Sequence, residues 1–393
     1  MLTSIPSRVR LRRWTVRAVV GAALVAVLVF LPPAVRTSVL TAALVPELLD
    51  FPVRPLSATV PEPVRLSMTY GDPPDPMDVY VPVDAADASR LPAVVLALGI
   101  HPQPIDHPDI VSIAAAISRL GVVVGLPDSG NLRNLVVTPE EPPHLADAVI
   151  ALGGLTRIDR DRVGLAGFSA GASMALIAAT DERIADGLRF VSAFGAYADA
   201  QRLLTDVATR TALVDGETRA WQPDAGIRRD ILELTLTTFS DEGVRAELGT
   251  RLHPIVACDS PPSGPRPDDL AVFEGDARAV YLLFTASDRQ AANAALAGIS
   301  SELRTHLDGI SPIAFADRIR APVFLLHGEP DTSISVSHSA LLSARLGDRL
   351  ARFTRFGEFG HGQPGLSDLG PAEISDIWEL YVYLRDIVAA ATE

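Results

Sequence analysis

Ser169 stands between Gly167 and Gly171 in the stretch GLAGFSAGAS. An apolar, strand-like run over 163–166 precedes it and a helix-like run follows. A serine on so tight a strand-to-helix turn takes a strained backbone conformation, and bulky side chains two positions to either side would clash. Its hydroxyl is presented at the end of a sheet, and the following helix aims backbone N–H groups forward. That is how a serine nucleophile is held. Gly-x-Ser-x-Gly alone carries little, because glycine is common enough for the pattern to arise by chance. The strand before it and the helix after it give it weight.

Such a serine needs a base, and the base an orienting acid. Two later stretches end like the first. APVFLLHGEPD leads a strand into Asp331, and ARFTRFGEFGHG leads a strand through a glycine-rich loop to His361. Three strand ends thus deliver Ser169, Asp331 and His361 to one rim of a sheet, in that order. Asp199, just past the strand-like FVSAFGAY, is the alternative acid. His327 reads as a packing and hydrogen-bonding residue, and His101 as a pocket-lining or exposed loop residue. The other five histidines, at 107, 144, 253, 306 and 338, show no ligand spacing, so no metal and no cofactor is expected. The single cysteine, Cys258, excludes an intramolecular disulfide. It sits in a proline-rich stretch without the setting of a nucleophile.

The elements that must position these residues alternate. VRLSMTY and MDVYVP form two strands around the turn GDPPDP. PAVVLALG, VVVGLP, DRVGLAG, FVSAFGAY, APVFLLHG and ARFTRFG follow as strands, with helices expected near 108–119, 143–155 and 170–180 and after the last two strands. This alternation predicts an α/β fold, a mostly parallel sheet with helices on both faces. Residues 198–315 break it, with several helix-like segments and few clear strands. A structureless loop of that length is implausible, so a mainly helical cap insertion is expected there. Loops at the carboxyl ends of parallel strands surround the site.

MDVYVP, PAVVLALG, GLAGFSAGAS, APVFLLHGEPD and GHG together resemble the α/β-hydrolase superfamily, in particular its dienelactone-hydrolase and prolyl-oligopeptidase-like esterase branches. The resemblance covers the chain from about residue 62 to the end, the cap excepted. It implies that Ser169 is the nucleophile, Asp331 the orienting acid and His361 the base of a serine hydrolase. The oxyanion hole would use the backbone N–H of Ala170, the residue after the nucleophile, and that of Ile100. Where the family usually has His-Gly before that second donor, this chain has Leu98-Gly99.

The chain has 393 residues and a net charge of −14, which argues against nucleic-acid binding. All its basic residues are arginine, and the absence of lysine excludes Schiff-base, P-loop and kinase-type chemistry. At the amino terminus, Arg8, Arg10, Arg12, Arg13 and Arg17 precede an uncharged run over 18–31. That pattern suggests export with the arginines left in the cytoplasm. An uncleaved membrane anchor and a cleaved signal peptide both remain open, and Arg12-Arg13 fits a twin-arginine signal only in part. The organisation read from the chain is an anchor or signal segment over 1–33, a connector over 34–61 that could hold a short helix, core over 62–197, cap over 198–315 and core over 316–393. The function expected is cleavage of a carboxylic ester or related acyl bond of a small molecule through a Ser-His-Asp triad and an acyl-enzyme. A prolyl-oligopeptidase-type peptidase and a non-catalytic binding protein of the same fold are the alternatives.

Overall fold

The structure, a computed structural model, describes residues 32–83, 90–100, 105–358, 360 and 370–392. Eight strands form one sheet: β1 (Val64–Tyr70), β2 (Asp75–Val81), β3 (Leu91–Ala97), β4 (Val123–Pro127), β5 (Ile158–Phe168), β6 (Leu188–Phe194), β9 (Val323–Gly328) and β10 (Leu350–Phe356). Their order is β1-β2-β4-β3-β5-β6-β9-β10. β2 runs antiparallel to both β1 and β4, and every other pairing is parallel. The antiparallel start follows from the short turn between β1 and β2, since two strands joined so closely can only form a hairpin.

β3, β4 and β9 are buried along their whole length. Strands covered on both faces read as continuous apolar runs, and successive residues feed two separate cores. Ala93, Val95, Ala97 and Val123 enter the front core with α5 (Glu141–Gly153) and α6 (Ser169–Ala178). Val94, Leu96, Val124 and Leu126 enter the back core with α1 (Pro33–Leu48), α3 (Pro108–Ser118) and α15 (Pro371–Thr392). Helix α1 lies in the stretch expected as a connector. It packs on α15 and α3, with Leu44 and Val45 buried among the back-face residues. A short helix, α2 (Pro55–Thr59), links it to β1.

Between β6 and β9 the chain builds seven α-helices, two single-turn 3-10 helices and a small hairpin among the described residues. Helix α7 (Ala200–Thr209) leads into the hairpin of β7 (Thr211–Val214) and β8 (Glu217–Ala220). Asp215 and Gly216 make its turn at φ of 52° and 82°, the left-handed geometry that suits a two-residue hairpin. Helices α8 (Ala225–Thr237), α9 (Glu242–Ala257), α10 (Pro267–Leu270), α11 (Gly275–Phe284), α12 (Arg289–Ala297) and α13 (Ser301–Gly309) follow. Leu232, Leu248, Tyr281 and Phe284 on these helices are buried and continuous with the front core. A short helix α4 (Gly130–Arg133) follows β4, and α14 (Ser337–Leu346) lies between β9 and β10.

Residues 1–31 lie outside the described residues, so the anchor or signal segment is almost wholly outside them. Among the described residues no helix is long and apolar enough to cross a membrane.

Candidate active site

β5 is a central strand, and at its end the chain turns at once into α6. Ser169 occupies that turn with φ of 53°, a left-handed conformation that a non-glycine residue adopts only under constraint. The neighbouring glycines supply the constraint. A Cβ at Gly167 would lie 2.6 Å from the Gly171 carbonyl oxygen, and one at Gly171 would drive into the Leu98 carbonyl. Gly99 belongs to the same junction: a Cβ there would come within 2.8 Å of the Ser169 Cβ. Three glycines therefore let the end of β3, the end of β5 and the start of α6 close on one point. Ile100 follows Gly99 directly, and Ser169, Ala170 and Ile100 line one cavity. Both expected oxyanion donors are thus carried by segments packed at the serine.

Asp331 lies three residues past β9 and is buried, at 1% exposure. Its Oδ1 accepts the backbone N–H groups of Ser333 at 2.7 Å and Ile334 at 2.9 Å. Its Oδ2 lies 3.3 Å from Nε2 of the buried His327. That imidazole is itself held, Nε2 by the Ile334 carbonyl at 2.8 Å and Nδ1 by the Ser339 hydroxyl at 2.7 Å. Nε2 faces a carbonyl that can only accept, so that nitrogen carries a proton. His327 therefore has the packing and hydrogen-bonding place expected of it. The indole of Trp221, in the insertion, donates to the Asp331 carbonyl at 2.8 Å. Trp221 carries no motif that singles it out; its role follows only from the fold.

His361 and His101 lie outside the described residues. Asp199, the alternative acid, caps α7: its Oδ1 accepts the Arg202 N–H at 2.8 Å. Cys258 is exposed at the end of α9. Among the described residues no group of three or more His, Cys, Asp and Glu side chains is placed to hold a metal.

The cavity over Ser169 has a volume of about 350 Å3. Its floor is the serine turn, and most of its walls come from the insertion, with Val137 and Ile334 among the others. Leu203 and Leu204 of α7, Ile231 of α8, Leu283 of α11, Leu296 of α12 and Leu303 of α13 all face it. Polar side chains are few, among them Asp230, Thr235, His306 and Ser333. Burial pushes the His306 imidazole below its ordinary pKa, against the opposing effects of a bond to Val137 and of Glu140. It therefore presents a neutral ring to the cavity at pH 7.

No protein-family model matches the chain, and none of the curated proteins does. Solved structures do. The acylaminoacyl peptidase of Pyrococcus horikoshii is 13% identical, matching 77% of this chain and 38% of its own, with a TM-score of 0.45. A puromycin-hydrolysing peptidase of Mycobacterium tuberculosis is 15% identical over 83% of this chain and 38% of its own, at 0.48. A 2,6-dihydroxy-pseudo-oxynicotine hydrolase is 15% identical over 82% of this chain and 68% of its own, at 0.46. The chain spans less than two fifths of the length of both peptidases. At such identities the likeness concerns the fold alone. An eight-stranded sheet of this order, with its second strand antiparallel and a glycine-flanked serine turning its central strand into a helix, makes the chain an α/β-hydrolase in fold, the superfamily its sequence resembles.

Proposed function

We propose that the chain is a serine hydrolase that cleaves carboxylic esters with a hydrophobic acyl group. The observation that carries this reading is Ser169, held at positive φ on a glycine-enforced turn and opening into an apolar cavity. In the proposed cycle the Ser169 hydroxyl attacks the ester carbonyl while His361 takes its proton. Asp331 holds the imidazole in one tautomer and stabilises the imidazolium. The backbone N–H groups of Ala170 and Ile100 receive the developing oxyanion. His361 then returns the proton to the leaving alcohol, and water releases the acyl group by the same steps in reverse. The acyl chain would lie among the aliphatic side chains of the insertion, where an apolar group gains by leaving water.

A fluorophosphonate probe tests the nucleophile. It should label the protein at Ser169, and a protein that takes no label would instead be a non-catalytic binder of this fold. A panel of acyl esters and peptide amides tests the bond. Ester turnover rising with acyl length supports the proposal, and faster cleavage of the amides would make the protein a peptidase. We also propose that the amino terminus carries the domain out of the cytoplasm, a reading supported by five arginines ahead of the uncharged run over 18–31. The intact chain should fractionate with membranes and resist extraction by salt. A mature form beginning after residue 31 would mean a cleaved signal, and an intact cytosolic chain would overturn export.

A further inference from the structure

A second cavity, of about 450 Å3, lies on the back face of the sheet and is larger than the one over Ser169. Ile113 and Ile117 of α3, Leu44 and Leu48 of α1, and Leu384 and Ile387 of α15 contribute to its walls. Back-facing side chains of the strands, Val94 and Leu96 among them, complete it. Among the described residues only two hydroxyl side chains border it, Ser192 and Tyr383. They are 2.8 Å apart and bonded to each other, and the Tyr383 hydroxyl also donates to the Phe324 carbonyl at 3.2 Å. Burial pushes that phenol far above its ordinary pKa, so it stays neutral.

We infer that this cavity is a binding site for a linear hydrocarbon chain. Among the described residues the lining offers no polar side chain that is not already spent within the protein. A sugar, a nucleotide or a peptide backbone would bury polar groups there without partners, a costly arrangement. A hydrocarbon leaves no hydrogen bond unmade on entry, and apolar cavities take up apolar molecules. A cavity of about 150 Å3 accepts the six carbons of benzene. By proportion, the site holds a chain of up to about 18 carbons.

Two features say where such a chain could come from. Helices α1 and α15, which wall the cavity, also carry apolar side chains outward. Val35 and Val39 are 45% and 41% exposed, and Ile374 and Trp378 are 57% and 61% exposed. Trp378 stacks on Tyr381 with ring centroids 5.3 Å apart. Tryptophan and tyrosine with aliphatic neighbours suit a lipid headgroup layer. Helix α1 also follows directly on the uncharged run behind the five arginines. These features favour an acyl chain of a membrane lipid. The second source is a free fatty acid. Phe168, the residue before Ser169, borders both cavities, so an acid released above the sheet would be close at hand. The site itself does not depend on hydrolysis at Ser169.

The test uses the full chain, purified without any alkyl-chain detergent. Photo-crosslinking with a diazirine-bearing stearic acid should label peptides of 110–120 and 377–391. Labelling confined to 200–310, or none at all, overturns the inference. A variant series reads the same site independently. In an Ile231→Trp background, which narrows the cavity over Ser169, cis-parinaric acid should bind with one-to-one stoichiometry. Adding Ile117→Trp or Leu384→Trp should weaken that binding at least tenfold, with an unchanged circular dichroism spectrum. Binding that survives both additions in folded protein rejects the site. Phosphatidylglycerol vesicles carrying the diazirine on an acyl chain decide the source. Labelling of 110–120 from vesicles identifies a membrane lipid, and labelling from the free acid alone identifies a fatty acid.

Discussion

The sheet and the insertion both reach the cavity over Ser169, and they do so by different means. The sheet contributes backbone. Ser169, Ala170, Gly99 and Ile100 sit where three segments close to within van der Waals limits, and no side chain larger than hydrogen fits at 99, 167 or 171. The insertion contributes side chains. Leu203, Ile231, Leu283 and Leu303 form the walls by hydrophobic contact, a requirement that many residues of similar size satisfy. Changes at the sheet should therefore remove the reaction, and changes in the insertion should redirect it.

The largest effect is expected at Ser169. Ser169→Ala should abolish fluorophosphonate labelling and lower ester turnover by about 10⁶, leaving what the oxyanion donors and binding supply. Ester turnover close to that of the unaltered protein would remove the nucleophile from the sheet and undo the comparison.

A smaller but still large effect separates the two aspartates. Asp331→Asn should cost about 10⁴ in turnover, because an amide there favours the wrong tautomer of the base. Asp199→Asn should cost less than about threefold, since asparagine caps a helix as well as aspartate does. Steady-state rates on one ester rank the two. The opposite ranking would place the acid at the end of β6.

The third effect belongs to the insertion. Ile231 is partly buried and faces the cavity. Ile231→Trp should lower kcat/KM for long-chain esters by about 10- to 200-fold, the range that hydrophobic pocket changes produce. Acetyl esters, which need only the floor, should change much less. Equal losses on every chain length would make the insertion structural and erase the distinction.

The two regions also differed in how far they could be read. The serine turn was legible because its cause is steric and local: Gly167 and Gly171 lie within two residues of Ser169 in the chain as in space. The inner strands of the sheet were legible as apolar runs such as those of β3, β4 and β9, and β1 as an alternation of apolar and polar residues ahead of a turn. The hairpin of β7 and β8 was not among the expected strands, although Asp215-Gly216 is a strong turn signal. Its strands are four residues each and β8 is exposed throughout, so no alternation marks them. The stretch of helix α1 read as a connector that could hold a short helix near a membrane surface or packed on the domain, with Pro46 near its end, and the sequence left that choice open. Its apolar side becomes a core face only against α15, more than 300 positions later in the chain. The brace from Trp221 to Asp331 spans 110 positions and carries no local signature at all.

The smallest effect tests the joint between the two regions. His338 of α14 is fully buried, and its Nδ1 accepts the Ala198 N–H at 3.1 Å. Its Nε2 lies 3.3 Å from Oδ2 of Asp206, on α7 of the insertion. Arg289 of α12 also bonds Asp206, and Arg202 of α7 reaches the Ser337 hydroxyl at 3.1 Å. The cluster therefore ties α14, beside the sheet, to two helices of the insertion. Burial pushes the His338 pKa down, Asp206 opposes that shift, and Arg202 and His327 add to it. The folded protein thus keeps this ring neutral where an unfolded histidine, with a pKa of about 6.5, takes up a proton. The unfolded state then binds more protons, so stability falls as pH drops below about 6.5. Between pH 7.5 and 5.5 the loss from this one group is at most about 1.4 kcal/mol. His338→Gln should be less stable at both pH values, having lost its fit, but its pH-dependent loss should be smaller by that amount. Urea unfolding of the two proteins at both pH values measures the difference. Equal pH-dependent losses in the two would show that the joint is insensitive to protonation at His338.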